Sequence, residues 1–177
     1  MSTTDAAPAV PSPAVPSPAA PASAALAPAA LVLPDHFPSL TTDTIRYGDT
    51  DRQGHVNNAV FATYLETGRC HLLFEGGGAR LRAGTAFVMA RLELDYVAEV
   101  HWPGSVQIGT AVLAVGRSSV RLAQAVFQDG RCAARAETVV VLMDEQTRRS
   151  TPWTDAERAW LARWQVSGQP GGSVAAG

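Results

Sequence analysis

The sequence predicts an α+β domain in which an antiparallel β-sheet wraps around one long central helix. Three observations predict it. Apolar residues recur at helical spacing from Asn57 onward, at Val60, Phe61, Tyr64, Leu65, Gly68, Leu72 and Leu73, which is the i, i+3, i+4 stripe of a helix with one buried side. Four later runs alternate apolar and polar residues with a period of two, as half-buried strands do. Short turn sequences join those runs, and turns this short connect antiparallel neighbours. A single helix must bury its stripe, and the apolar face of the sheet is the partner on offer.

In chain order, alanine, proline and serine dominate the first 34 residues, which carry no aromatic side chain. Repeated prolines block regular helix and little is available to bury, so residues 1–36 are read as an extended, disordered tail. A signal peptide is the competing reading. Against it, the start MSTTDAAP has no positive charge, and prolines interrupt every apolar stretch. The folded domain then spans 37–165, and Thr41 to Tyr47 opens it as a short β-rich run. After a loop comes the helix, ended by the glycines Gly76 to Gly78. Gly68 lies in mid-stripe, where it weakens the helix but lets another element approach closely.

The first long strand carries Val88, Ala90, Leu92, Leu94 and Tyr96 on its apolar side, with Arg91, Glu93 and Asp95 between them. Trp102 to Gly104 turns the chain into a second strand, Ser105 to Val115, and the turn GRSS leads to a third, Val120 to Gln128. Asp129-Gly130 is a strong hairpin signal. Beyond it Cys132, Ala134, Ala136, Thr138, Val140 and Leu142 form one face of a fourth strand, opposite Arg135 and Glu137. Thr154 and Glu157 make a capping box for a last short helix, whose apolar side is Trp160, Leu161 and Trp164. Residues 166–177 are read as a second disordered tail.

Composition narrows the function. At 177 residues, with 46% hydrophobic and 17% charged residues, the chain has material for one domain with a real core. A net charge of -2 gives no electrostatic case for nucleic acid or an anionic membrane. All 14 basic residues are arginine; without lysine there is neither Schiff-base chemistry nor a Gly-Lys-Ser/Thr phosphate loop. Cys70 and Cys132 match no metal spacing and are read as reduced core residues, in keeping with a cytoplasmic chain. No apolar run approaches the roughly 18 residues of a membrane helix. No cofactor and no metal are implied.

The informative stretch is RYGDTDRQGHVNNAVFATYLETGR, Arg46 to Arg69. It sets two acids, Asp49 and Asp51, in a loop just before the helix. Helix starts favour negative charge and Asn57 and Asn58 are good N-cap types, so capping alone is one explanation. The string Asp-Thr-Asp-x-x-Gly-His-Val-Asn-Asn, followed by Tyr64 and Glu66, resembles the motif of the 4-hydroxybenzoyl-CoA thioesterase branch of hotdog-fold proteins, which includes many bacterial acyl-CoA thioesterases. The resemblance covers the whole folded region and is silent on the acyl group.

That resemblance implies hydrolysis of an acyl-CoA thioester to free acid and CoA. Such chemistry needs a carboxylate that attacks or activates water, and donors that polarise the carbonyl as charge builds on its oxygen. By position in the motif Asp51 matches the family's catalytic carboxylate. The backbone N–H groups from Gly54 and His55 through Val56, Asn57 and Asn58 are the supporting or oxyanion set, with the Asn58 N–H where the family polarises the carbonyl. Unpaired N–H groups at a helix start carry partial positive charge, which suits that task. Asp49 is read as structural. His55 is read either as a general acid or thioester contact, or as a residue that orients the loop. Glu66 is a secondary carboxylate, read as structural or supporting. Coenzyme A phosphates need cations, for which Arg80, Arg82, Arg91, Arg117 and Arg121 qualify by type; Arg117, Ser118 and Ser119 are preferred because GRSSV resembles a turn of this branch. His36, His71 and His101 show no partner pattern and are read as solvent-facing or packing residues. The resemblance also implies a homodimer or homotetramer, with sheets side by side and sites at the interface.

Three alternatives stay open. An acyl carrier protein thioester is one. An enoyl-CoA hydratase of the same fold would pair Asp51 with His55, although the loop lacks that family's Asn and Pro. The third is a non-catalytic acyl-CoA-binding protein.

Overall fold

The structure, a computed structural model, describes residues 31–75 and 82–166. Five strands form one antiparallel sheet: β1 (Ser39–Thr44), β2 (Thr85–Tyr96), β3 (Ser105–Val115), β4 (Ser119–Gln128) and β5 (Arg131–Asp144). Their order is β1-β3-β4-β5-β2, so β1 and β2 are the edges. The helix α1 (Asn58–Cys70) packs on one face, and α2 (Asp155–Ala162) lies beyond its C-terminal end. The expected glycine terminator, Gly76 to Gly78, lies outside the described residues; within them the α-helix gives way at Cys70 to one π-helical turn, His71–Glu75. The β-rich run expected at Thr41 to Tyr47 sits two residues earlier, because Tyr47–Asp49 is a 3-10 turn.

The stripe on α1 is buried as its spacing requires. Phe61, Tyr64 and Leu65 pack with Val106, Ile108, Val126, Ala134 and Ala136, and Leu72 and Leu73 pack with Val112, Leu122, Leu142 and Trp160. Gly68 is the point of closest approach. A Cβ there would lie 2.5 Å from Ile108 Cγ2 and 2.8 Å from Thr110 Oγ1, so a larger side chain would push helix and sheet apart. Beside it, Gln124 is fully buried. Its amide donates to the Leu65 carbonyl (2.8 Å) and its oxygen accepts from Thr138 Oγ1 (2.8 Å), which satisfies a polar group in the middle of the apolar face. Cys70 falls off the stripe and is exposed rather than in the core, while Cys132 is half-buried.

The opposite face of the central strands is also covered. Ala111, Ala123, Ala125 and Phe127 form a cluster with Phe37 and Leu31. The Phe37 ring lies 2.4 Å from where a Gly109 Cβ would sit, so the missing side chain makes room for it. Leu31, placed by the sequence in a tail ending at 36, is 1% exposed. Apolar packing therefore reaches back at least six residues before the expected boundary at 37. Residues 1–30 and 167–177, the rest of the two expected tails, lie outside the described residues.

Strand β2 departs from simple alternation. The register slips between Met89, opposite Val140, and Arg91, opposite Val139. This bulge flips the parity of the strand. Phe87 before it and Leu92 and Leu94 after it all pack inward, whereas Val88 and Met89 are exposed.

Candidate active site

Backbone hydrogen bonds build the loop before α1 around two aspartates with different tasks. The Asp49 carboxylate Oδ2 accepts from the Arg46 N–H at 2.8 Å and from the buried Tyr64 hydroxyl at 3.1 Å. Its carbonyl accepts from the Asn57 N–H at 2.8 Å. Asp49 thus ties the loop to the helix, and burial together with the nearby Asp49 charge and hydrogen bond raises the Tyr64 pKa above the ordinary phenol value. Asp51 opens a tight turn: its N–H donates to the His55 carbonyl at 2.8 Å, and its carbonyl accepts from Gly54 at 3.1 Å. Gly54 takes a φ of +86°, a conformation that suits glycine. The Gln53 N–H donates to Asp51 Oδ1 at 2.8 Å; Oδ2 has no hydrogen-bond partner among the described residues.

Asn57 caps α1, its Oδ1 accepting from the Ala59 N–H at 2.9 Å. The expected row of unpaired donors is shorter than the sequence suggests. The Val56 N–H donates to the Val100 carbonyl and the Asn57 N–H to the Asp49 carbonyl, both at 2.8 Å, and Gly54 closes the Asp51 turn. Partners remote in sequence claim these groups because the loop is threaded between β-like segments. The Asn58 N–H, the first of the helix proper, stays unclaimed among the described residues.

Asp51, His55, Asn58, Phe61, Tyr96 and Glu99 line one cavity of about 280 Å3. Tyr96 stands edge-on to Phe61, with centroids 5.3 Å apart, and donates its hydroxyl to the Asn58 carbonyl at 2.9 Å. The cavity therefore joins an acid, a helix start and aromatic walls, which is a setting for acyl chemistry. Along the Val97–His101 segment it abuts a wider groove of about 610 Å3 lined by Glu99, His101, Gln128 and Asp129.

Other residues singled out by sequence lie elsewhere. Glu66 is on the outer side of α1, in a separate depression with Thr41, Cys70 and His71, two helical turns from Asn58. Arg117, Ser118 and Ser119 are at the β3–β4 turn, the end of that hairpin opposite the Gln107–Phe127 pair; within one chain they do not meet Asp51. Their carbonyls hold other parts of the fold: Arg117 accepts from Trp153, Ser118 from Leu142 and Ser119 from Gly116. Arg82, Arg91 and Arg121 each face an acid of this chain, namely Glu157, Glu93 and Glu137. Arg80 lies outside the described residues. His101 is solvent-facing, one of the two expected readings, but it has partners that the sequence did not announce: its ring stands edge-on to His55 at 5.1 Å, and Glu99 approaches both. The signal for this was the Glu-x-His spacing at 99–101, which puts both side chains on one side of an extended segment.

A five-stranded antiparallel sheet in this order, carrying a helix that begins at an acid-bearing loop, defines a hotdog-fold protein. The model of the thioesterase-like superfamily matches residues 45–161; the chain belongs to that superfamily and is an enzyme that hydrolyses thioesters. It is 27% identical over 127 residues to a 1,4-dihydroxy-2-naphthoyl-CoA hydrolase of Synechococcus elongatus, across 66% of this chain and 90% of the relative. Among solved structures, a Pseudomonas aeruginosa PAO1 protein superposes with a TM-score of 0.70 at 28% identity, over 78% of this chain and 99% of the other. A Thermus thermophilus thioesterase, complexed with coenzyme A and Zn, superposes with a TM-score of 0.63 at 31% identity, over 77% and 98%. No helix of the described residues is long and apolar enough to cross a membrane.

Proposed function

We propose that the chain hydrolyses an acyl-CoA thioester, with Asp51 as the catalytic carboxylate and the Asn58 N–H as the donor that polarises the carbonyl. The observation that carries this is that Asp51 and Asn58, at the start of α1, line the same cavity. The turn that closes on Gly54 and His55 holds Asp51 with one carboxylate oxygen unpartnered among the described residues, as an attacking group or base requires. The acyl carbon gains an oxygen, from water directly or from the Asp51 carboxylate that water then restores, the C–S bond breaks and CoA leaves as the thiol. Asp51 does this either by taking the water's proton or by attacking first to give a mixed anhydride that water then opens. A single turnover in 18O-water tests this: water that opens the anhydride at the Asp51 carbonyl leaves label in Asp51 and hands an aspartate oxygen to the product, whereas direct attack by water labels the product acid alone. CoA as the carrier is supported by the naphthoyl-CoA hydrolase relative and the CoA-bound thioesterase. The motif resemblance supports the 4-hydroxybenzoyl-CoA thioesterase-like branch. Aromatic acyl groups are the substrate class favoured by Phe61 and Tyr96 in the cavity wall.

The test is a hydrolysis screen over acyl-CoAs of graded length and one aromatic thioester, with thiol release read by a disulfide reagent. Tight acyl-CoA binding without turnover would make the chain a binding protein. Loss of the conjugated double bond of crotonyl-CoA would make it a hydratase. Turnover confined to acyl carrier protein thioesters would replace the carrier. We place the working form as a homodimer or homotetramer paired along β2, an edge strand that exposes Val88 and Met89 toward its start and ends at the cavity residue Tyr96; Arg117, Ser118 and Ser119 would then reach a site across the interface. A monomeric mass by light scattering at assay concentration contradicts this. The cytoplasmic placement rests on cysteine usage alone, and cell fractionation checks it.

A further inference from the structure

The geometry points to a second site at the rim of the cavity: His55, Glu99 and His101 bind a divalent transition-metal ion of zinc's class. The three residues arrive from two segments. His55 and His101 are opposed as an antiparallel bridge pair, so their side chains leave the same face. Glu99 is two residues before His101 on an extended segment and shares that face. Glu99 Oε2 lies 3.5 Å from His55 Nε2 and 3.6 Å from His101 Nε2, and the three donor atoms are all within 4.8 Å of one another.

The two carboxylate–imidazole spacings favour one of two explanations. A carboxylate that merely joined two imidazoles by hydrogen bonds would sit at about 2.7–3.2 Å from each nitrogen. Both contacts are longer than that. An ion with tetrahedral bonds of about 2.0–2.1 Å holds neighbouring donors about 3.4 Å apart, which matches both carboxylate–imidazole separations. The donor set, two imidazoles and a carboxylate, is one that zinc accepts with a fourth position left open, and nickel and copper bind such nitrogen-rich sets still more tightly than cobalt.

The backbone beneath the trio is held in place. The Val56 N–H donates to the Val100 carbonyl at 2.8 Å, fixing the two segments next to His55 and His101. The Gln128 side chain grips the His101 backbone on both sides, donating to its carbonyl at 2.7 Å and accepting from its N–H at 3.0 Å. Ligand-bearing backbone that is fixed before binding lowers the ordering cost of a metal site. The Glu99 and His101 side chains are more than half exposed, and the wide groove beside them gives an ion a path from solvent. Since His55 and Glu99 also line the Asp51 cavity, a bound ion stands at the edge of the space where the acyl group is proposed to sit. Metal binding itself is independent of the thioester reading, and its measurement needs no substrate.

Isothermal titration of the full chain with zinc chloride in a non-coordinating buffer tests the site. One ion per chain is expected, and His101→Ala and Glu99→Gln should each weaken binding by about tenfold or more. His71→Ala, which changes a histidine elsewhere on the surface, should leave the affinity unchanged. Cobalt(II) should give the visible absorption of a four-coordinate ion in the wild type and lose it in His101→Ala. Melting curves establish that each variant is folded, which the exposure of both side chains favours. Absence of stoichiometric binding overturns the proposal, and so does binding that survives in both His101→Ala and Glu99→Gln.

Discussion

Asp51→Asn and Asp49→Asn should separate catalysis from loop architecture, because the structure gives the two carboxylates different partners. At Asp51 the only side-chain hydrogen bond among the described residues is that from Gln53, at 2.8 Å to Oδ1. An amide oxygen accepts that bond equally well, and the backbone bonds that close the turn do not involve the side chain. Stability should therefore change by no more than about 0.5 kcal/mol. What is removed is the negative charge. If Asp51 attacks the thioester or takes the water's proton, turnover should fall by about a hundredfold or more, equivalent to about 2.7 kcal/mol of barrier. Acyl-CoA binding should be nearly kept, since the Asn58 N–H remains. At Asp49 one oxygen serves both the Arg46 N–H and the hydroxyl of Tyr64, which is 0% exposed. Neutralising it weakens two charge-assisted bonds and should cost about 1–2 kcal/mol of stability, with a smaller loss of turnover. Thiol release measures the first quantity and thermal melting by circular dichroism the second. If Asp51→Asn keeps its turnover and melts lower, Asp51 is a structural cap and the catalytic assignment is refuted.

Three other outcomes follow from the packing. Leu31→Ala should destabilise the domain by about 2–4 kcal/mol, whereas Leu33→Ala, at an exposed position, should be neutral; deleting residues 1–34 should accordingly lower the melting temperature, contrary to the tail reading of the sequence. Gly68→Ala gains about 1 kcal/mol of helix propensity but must displace Ile108 and Thr110, so urea titration should show a net loss of about 1–2 kcal/mol. Tyr64 has a raised pKa, first through burial and then through Asp49, so its neutral form belongs to the folded state. Its contribution is complete below the unfolded value of about 10 and is lost as pH rises beyond it. Urea midpoints taken between about pH 9 and 11 should fall less steeply in Tyr64→Phe than in the wild type.

The elements themselves were legible locally. The α1 stripe, the Thr154–Glu157 capping box and the Asp129-Gly130 hairpin all depend on residues a few positions apart. In the structure Thr154 and Glu157 bond reciprocally, and Asp129 and Gly130 take φ values of 52° and 75°, as a two-residue hairpin turn needs. The acid-bearing loop and the helix start next to it were likewise adjacent in the chain, so their meeting in one cavity was readable as a motif. Tertiary structure decided what depends on distant partners. Leu31 and Phe37 cover a second face of β3 and β4 that period-two alternation cannot announce, because the small residues Gly109, Ala111, Ala123 and Ala125 read as neutral until something lies against them. The bulge after Met89 follows from the register against β5 and not from the β2 sequence. Val100 and Asp49 take the N–H groups of Val56 and Asn57 and Asp51 takes that of Gly54, leaving those of His55 and Asn58 unclaimed among the described residues. Arg117 to Ser119 fall at the far end of a hairpin whose length places them away from Asp51 in the same chain. Finally, His101 meets His55 only because a β-bridge pairs segments 46 residues apart: local periodicity fixes which way a side chain points, but only chain folding fixes what it faces.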